Sequence, residues 1–385
     1  MIYLDNAATS WPKAPSVMEA VQKAIAMPLG NPGRTFHRSA MDAASLVSAC
    51  REGLAQLFGI ANPLRICFTA NTTDALNLAI KGALQPGDHA ICSSMEHNSV
   101  WRPLTALAAR GVELSIAQAN GEGIVAPESV GKLLRPNTRL VAMIHASNVN
   151  GAIQPIAKIG RIVREHGALM LVDAAQSAGS LPIDVEAMAI DLLAFPGHKG
   201  LLGPQGTGGL YVRDGVELAL LKEGGTGSES NSPLQPEFFP DRLESGTLNL
   251  PGIAGLNAAV AYLLSTGITD VAAHEAELAM RLLASLRAMP RVKLYSPQES
   301  SCRAPIIAFN IEGWDSTAVA QELERRADIA CRPGIQCAGL AHRTLGTQDC
   351  GTVRLSPGPF TTDQEIDTAL DAIAGLPRRA SVVRS

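Results

Sequence analysis

The sequence predicts an α/β fold: a large unit built on a mostly parallel sheet, then a smaller α+β unit. Three observations predict it. Between residues 60 and 215, short runs that are apolar throughout alternate with segments whose apolar residues recur at helical spacing. Strands apolar on both faces and separated by helices belong to a parallel sheet covered on two sides. From about residue 256 the texture changes, and longer helical patterns enclose only a few strand-like runs.

In order, RICFTA (65–70), HAICSS (89–94), RLVAMIHAS (139–147), ALMLVDAA (168–175) and DLLAFP (191–196) read as buried strands. TTDALNLAIKGAL, WRPLTALAARG and IAKIGRIVREHG read as helices between them, two of them closed by glycine. GTGGLYVRD reads as one more strand, added antiparallel. Residues 222–250, rich in Gly, Ser and Pro, read as a long loop, and such loops inside compact chains tend to carry function. Beyond it, NAAVAYLLSTG and AAHEAELAMRLLASLRAMP are helical, VKLYSP and APIIAFNIEG are strands, and STAVAQELERRAD and TTDQEIDTALDAIAGL are helices.

The 385 residues are 46% hydrophobic and 18% charged, with a net charge of −4. That balance favours neither nucleic acid nor an anionic membrane surface as a partner. No apolar run reaches the roughly 20 residues of a membrane helix, and the N-terminus lacks a signal-peptide pattern, so the cytoplasm is the expected compartment. Seven cysteines, at 50, 67, 92, 302, 331, 337 and 350, include no C-x-x-C pair. The cluster Cys331, Cys337, His342 and Cys350 lacks the close ligand pairs of a structural zinc site, so no metal is expected. Cys67 and Cys92 fall inside strand-like runs and read as small buried hydrophobes.

In an open parallel sheet, ligands sit beyond the carboxyl ends of the strands. The residues there are Asn71, Thr72 and Thr73 at a helix start, His97, Asn148, Asp173 with Gln176, and His198 with Lys199. Singly, each has an ordinary structural reading: Asp173 as a cap, His97 as a satisfied rim histidine, Lys199 as a snorkelling lysine. Together they supply a phosphate cradle, a strand-end carboxylate and a lysine set among glycine and apolar residues. These are the three needs of pyridoxal 5'-phosphate: a lysine for the Schiff base, an acid opposite the pyridinium nitrogen, and amides for the phosphate. Burial suits the lysine, because it lowers the amine's pKa and frees it for attack.

YLDNAATS, ANTTDALN, MEHNS, HASNVNGAIQPI, DAAQSAG, GHKGLLGPQGTGGLYV, LESGTLNLPGIAGL, RPGIQCAGLAHRTLG and GTVRLSPGPF, in this order, resemble the class V aminotransferase superfamily. Within it the sequence is most similar to cysteine desulfurases of the SufS-like and selenocysteine lyase branch, over about residues 2–372. The resemblance implies a fold type I pyridoxal-phosphate-dependent transferase. On that plan residues 14–255 form the large cofactor-binding domain, while 1–13 and 256–385 form a small domain carrying the Cys337 loop and Arg354. It implies that Lys199 bears the cofactor, that His97 stacks on the ring and moves protons, and that Asp173 and Gln176 face the ring nitrogen and phenolic oxygen. Thr73 and His198 match phosphate ligands. Thr247 matches a threonine that reaches the partner subunit's phosphate, which implies a homodimer with shared sites. Asn148 and Arg354 match a clamp for the substrate carboxylate, and a guanidinium fork suits that group. His37 and Arg332 match residues lining the substrate side. One position departs from the pattern: relatives carry Ser or Thr two residues before the motif histidine, where this chain has Pro196, which offers no hydroxyl.

Cys337 decides the subtype. As a nucleophile it takes the sulfur of substrate cysteine as a persulfide and leaves alanine, with Arg332 favouring the thiolate; as a buried structural thiol it takes no part. The expected activity is conversion of L-cysteine to L-alanine, with sulfur passing to an acceptor protein for iron–sulfur cluster or other cofactor assembly. The alternatives are a selenocysteine lyase, or an aminotransferase, epimerase or β-lyase that ignores Cys337. A non-catalytic scaffold is disfavoured by the intact Lys199, Asp173 and His97. Cys331 and Cys350 are assigned no role.

Overall fold

The computed structural model describes residues 1–32 and 37–378. Its strands are β1 (Ile2–Tyr3), β2 (Ile66–Thr69), β3 (His89–Ser93), β4 (Glu113–Ala117), β5 (Thr138–Ile144), β6 (Leu169–Asp173), β7 (Leu192–Pro196), β8 (Gly208–Val212), β9 (Val292–Leu294), β10 (Ile307–Ile311), β11 (Ile329–Ala330) and β12 (Val353–Leu355). Its helices are α1 (Val17–Ala26), α2 (Arg38–Phe58), α3 (Thr72–Ala83), α4 (Asn98–Ala108), α5 (Pro127–Gly131), α6 (Ile156–His166), α7 (Leu250–Thr266), α8 (Ile268–Arg287), α9 (Ser316–Ala327), α10 (Gly339–Thr344) and α11 (Asp363–Ala374).

Seven strands form the main sheet in the order β2-β8-β7-β6-β5-β3-β4. Strands β4, β3, β5, β6 and β7 run parallel, while β8 lies antiparallel between β7 and β2. Side chains alternate strictly along the central strands. Ile91, Val141, Met143, Met170, Val172, Leu193 and Phe195 enter one apolar core, under α2, α6 and α7. Ala90, Cys92, Leu140, Ala142, Leu169, Leu171, Leu192 and Ala194 enter the other, under α3 and α4. Both faces are therefore dry, which is why these strands are apolar through their middles and keep polar residues, such as His89, Thr138 and Arg139, to their ends. The expected strands and helices between 65 and 212 are all present. Strand β4, at the sheet edge and only partly buried, was not among the expected elements, and neither were α1 and α2.

A third core joins α8, α9 and α11 to the antiparallel sheet β12-β10-β9 and to β1, which pairs with β11. Residues 213–249 carry no helix or strand, as the composition of 222–250 predicts. Among the described residues, no single helix is long and apolar enough to cross a membrane.

The chain proceeds from β3 outward to β4, returns past β3 to β5, and then builds β6 and β7 in the opposite direction. The strand order thus reverses between β3 and β5, which fixes where a crevice opens at the carboxyl edge. A fourth, small core, of Met95, Ile144, Val149, Ala338 and Ala341, fastens the start of α10 onto that crevice.

Candidate active site

A cavity of about 110 Å³ opens at the carboxyl ends of β2, β3, β5, β6 and β7, and Asn71, Thr72, Thr73, His97, Asn148, Asp173, Gln176, His198 and Lys199 all line it. The structure thus gathers nine of the expected residues at one place. Two helices begin on it. Asn71 caps α3 by accepting from the Asp74 amide at 3.0 Å. His97 caps α4, its Nδ1 accepting from the Ser99 amide at 3.1 Å. Thr73 Oγ1 lies 2.8 Å from Ser99 Oγ, which ties the two helix starts together. Free amides and two helix dipoles make this end of the cavity an anion site.

Because His97 Nδ1 accepts a backbone proton, the neutral ring carries its own proton on Nε2. Burial, with Lys199 and Arg102 adding repulsion, lowers its pKa to about 4 and keeps the ring neutral. Asp173 is 1% exposed. Its Oδ1 accepts from the Ala175 amide at 2.9 Å, and burial raises its pKa to about 6 against that bond and the pull of Lys199. A cation placed against this acid would recover much of its charge. Lys199 follows β7, and burial, with Arg354 adding repulsion, lowers its pKa to about 8 against the pull of Asp173, Asp5 and Cys337. An amine so tuned keeps a useful minority of free base near neutrality, far more than an ordinary lysine, as nucleophilic attack requires.

Gln176 donates to the Ala7 carbonyl at 2.9 Å. His198 Nδ1 lies 3.0 Å from Thr9 Oγ1. Arg354, 3% exposed, donates from Nη1 to the Asn148 carbonyl at 2.8 Å and from Nη2 to Asp5 Oδ1 at 2.7 Å. Its Nε and the Asn148 Oδ1 are buried without a partner. Arg332 is exposed and pairs backbone to backbone with Arg354. Cys337 is exposed, on the stretch that leads into α10.

Two expected residues lie elsewhere within the chain. His37 is exposed and caps α2, Nδ1 accepting from the Ala40 amide at 3.3 Å. Thr247 lines a separate cavity of about 680 Å³, with Thr69, Asp74, Asn77 and Lys222. Pro196 closes β7, buried, and does not line the smaller cavity. Among the described residues, no group of three His, Cys, Asp or Glu side chains is placed to hold a metal. Burial drives the Cys50 and Cys331 thiols up to about 12 and raises Cys67 and Cys92 well above the ordinary range, so none of the four offers a ready thiolate.

Several residues were missed. Asp5, Thr9, Ser10 and Lys13 reach the site from the N-terminal segment, Lys13 Nζ donating to the His198 carbonyl at 2.9 Å; only long-range pairing of β1 with β11 brings them there. Ser99 links the two helix starts. Glu96, behind His97, is fully buried; it accepts from Ser93 Oγ and from the Ile144 amide at 2.8 Å, and its Oε2 has no partner. Burial, with Asp173 adding repulsion against those two bonds, raises its pKa to about 8. A glutamate beside a rim histidine carries no sequence signal that it is buried.

An open α/β sheet whose strand ends gather a buried lysine, a buried carboxylate and two helix starts has the make-up of an enzyme active site. The chain belongs to the aminotransferase class-V family, which it matches over residues 2–369. It is 34% identical to a probable cysteine desulfurase of Methanothermobacter thermautotrophicus, over 97% of this chain and 95% of that protein. It superposes with a TM-score of 0.91 on an apo cysteine desulfurase from Thermococcus onnurineus, 32% identical, with 97% of this chain and 94% of that one covered. The cysteine desulfurase CsdA of Escherichia coli gives a TM-score of 0.88 at 29% identity, with 97% and 93% covered.

Proposed function

We propose that this protein is a pyridoxal-phosphate-dependent cysteine desulfurase that releases L-alanine and takes the sulfur onto Cys337. The carrying observation is that Cys337, an exposed thiol, sits on a segment tied to the cavity rim: its carbonyl accepts from the Asn98 amide at 2.9 Å, next to His97, and the Gln336 carbonyl before it accepts from Asn148 Nδ2 at 2.7 Å. The relatives' names agree with this chemistry.

The residues fit the cofactor. The amides and hydroxyls of Asn71, Thr72 and Thr73, with His198, suit its phosphate; Asp173 suits a ring nitrogen cation; Lys199 suits its aldehyde. Bound there, the cofactor acts as an electron sink that makes the Cα proton of a linked amino acid labile. Arg354, whose buried Nε–H has no partner, orients the substrate carboxylate, and Asn148 adds the Nδ2 proton that its bond to the Gln336 carbonyl leaves over. The freed Lys199 amine takes the Cα proton, and His97 Nε2–H is placed to hold or return one. The Cys337 thiolate attacks the substrate sulfur; the new S–S bond forms as the C–S bond breaks, the electron pair stays with the three-carbon unit, and a proton completes alanine. The persulfide then passes to an acceptor of the kind that serves iron–sulfur assembly.

Thr247 belongs, on this reading, to the phosphate site of a second subunit, so the working unit is a homodimer. The test supplies cysteine and thiol reductant to the cofactor-loaded protein and measures alanine and sulfide. Equal yields that vanish in Cys337→Ala are expected. Alanine formation that survives the substitution, or activity confined to selenocysteine, would overturn the assignment.

A further inference from the structure

Cys337 sits in backbone that an L-residue seldom adopts. Gln336 and Cys337 have φ of +43° and +58°, two consecutive left-handed residues, neither of them glycine. Such a pair persists only where its surroundings over-determine it.

The surroundings do so through the Gln336 side chain, which is 6% exposed. Its Nε2 lies 2.9 Å from the Thr352 carbonyl and must donate there, which turns Oε1 toward His342 Nε2, 2.8 Å away. His342 is fully buried, and its Nδ1 lies 2.7 Å from Thr347 Oγ1. Burial lowers the pKa of this ring to about 4, against two backbone bonds. The ring is neutral, with its one proton on Nε2 for Gln336, and Nδ1 accepts from the Thr347 hydroxyl. Each polar atom along this line has a partner. The main chain is held as well: the Gln336 carbonyl accepts from Asn148 Nδ2 at 2.7 Å, and the Cys337 carbonyl from the Asn98 amide at 2.9 Å. Asn98 follows His97, so the Cys337 main chain is hydrogen-bonded to the peptide that joins the rim histidine to α4.

We propose that Gln336 is the positioning residue for sulfur transfer: its amide, locked between His342 and Thr352, holds the left-handed turn that presents the Cys337 thiol to substrate sulfur. This rests on the reading of Cys337 as sulfur acceptor. The thiol travels on a braced turn rather than a swinging arm, and Gln336 touches neither substrate nor cofactor.

The experiment compares cofactor-loaded wild type, Gln336→Ala and Gln336→Glu for alanine formation from cysteine with reductant, and for amide hydrogen exchange across residues 332–354. Gln336→Ala should lose about tenfold or more in kcat with KM within about twofold, since the lost interaction serves the reacting thiol and not substrate binding. Exchange at the Gly334, Ala338 and Thr352 amides should quicken by about tenfold as the brace opens. Gln336→Glu keeps the bond to His342 and loses donation to Thr352; it should fall between, and it decides the matter should the alanine variant fail to fold. Unchanged kcat and exchange would overturn the proposal, as would a fall in kcat matched by lost cofactor or raised KM. Cys337→Ala run in parallel separates the two failures: if it still forms alanine from cysteine, the reading of Cys337 is wrong at its root.

Discussion

Nη2 of Arg354 lies 2.7 Å from Oδ1 of Asp5, across a sequence separation of 349 residues. The bond anchors the guanidinium from the side of β1 while Nη1 holds the Asn148 carbonyl, so the fork is fixed in one orientation beside Asn148, a residue of the cavity wall. Burial lowers the Arg354 pKa and Asp5 opposes the shift. Replacing Arg354 by Lys keeps the charge and loses the fork, because an ammonium is a point charge without fixed bidentate geometry. We expect KM for cysteine to rise by about tenfold or more, on the scale of a lost charged hydrogen bond. Steady-state kinetics check this.

Asp5 also raises the Lys199 pKa from a distance. Asp5→Asn should therefore shift titration of the Lys199 amine to lower pH. The pH dependence of Lys199 modification by an amine reagent in apo protein, read by peptide mass mapping, measures it. A shift upward would contradict the assignment.

Lys199→Ala removes the only amine among the residues lining the smaller cavity. Borohydride reduction of the cofactor-loaded protein should label residue 199 in wild type and leave the variant unlabelled. Turnover should drop by several orders of magnitude, as expected when a covalent catalyst is removed.

Glu96 gives a prediction about stability. Its folded pKa, about 8, lies above the ordinary carboxyl value of 4.5, so the folded state holds a proton that the unfolded state releases. Stability from this group is fully present below pH ~4.5 and declines as pH rises toward ~8, by a few kcal/mol in total. Glu96→Gln cannot release that proton. Its stability relative to wild type should therefore improve steadily between pH 5 and pH 8, whatever the fixed cost of the amide. Urea denaturation at several pH values checks the slope; a flat difference would mean that Glu96 is charged in the fold.

The main sheet was legible because its inner strands have no wet face. LVAMI and ALMLV carry apolar residues at every position, and both sides of each are dry. Strand β4 escaped notice because ELSIA sits at the edge with Glu113 exposed, and a half-wet strand of five residues resembles a loop. The rim of the site was legible because Asp173 ends a buried strand and His97 and Lys199 come within a few residues of the ends of two others. What stayed hidden was whatever reaches the site from far along the chain, such as Asp5 and Lys13, or by burial alone, such as Glu96. The brace behind Cys337 was hidden too, since no spacing rule marks Gln336 and His342 as partners.

Gly208 lies in β8, and a Cβ there would stand 2.8 Å from the Phe195 carbonyl and 3.1 Å from Asn71 Cα. Strand β2, from which α3 departs, touches the sheet only through β8. The place of residues 71–73 at the cavity thus depends on residues 208–212, a strand far downstream in the chain, as well as on β2 itself. A larger side chain at 208 would therefore press against the residues that open α3 and displace the start of that helix.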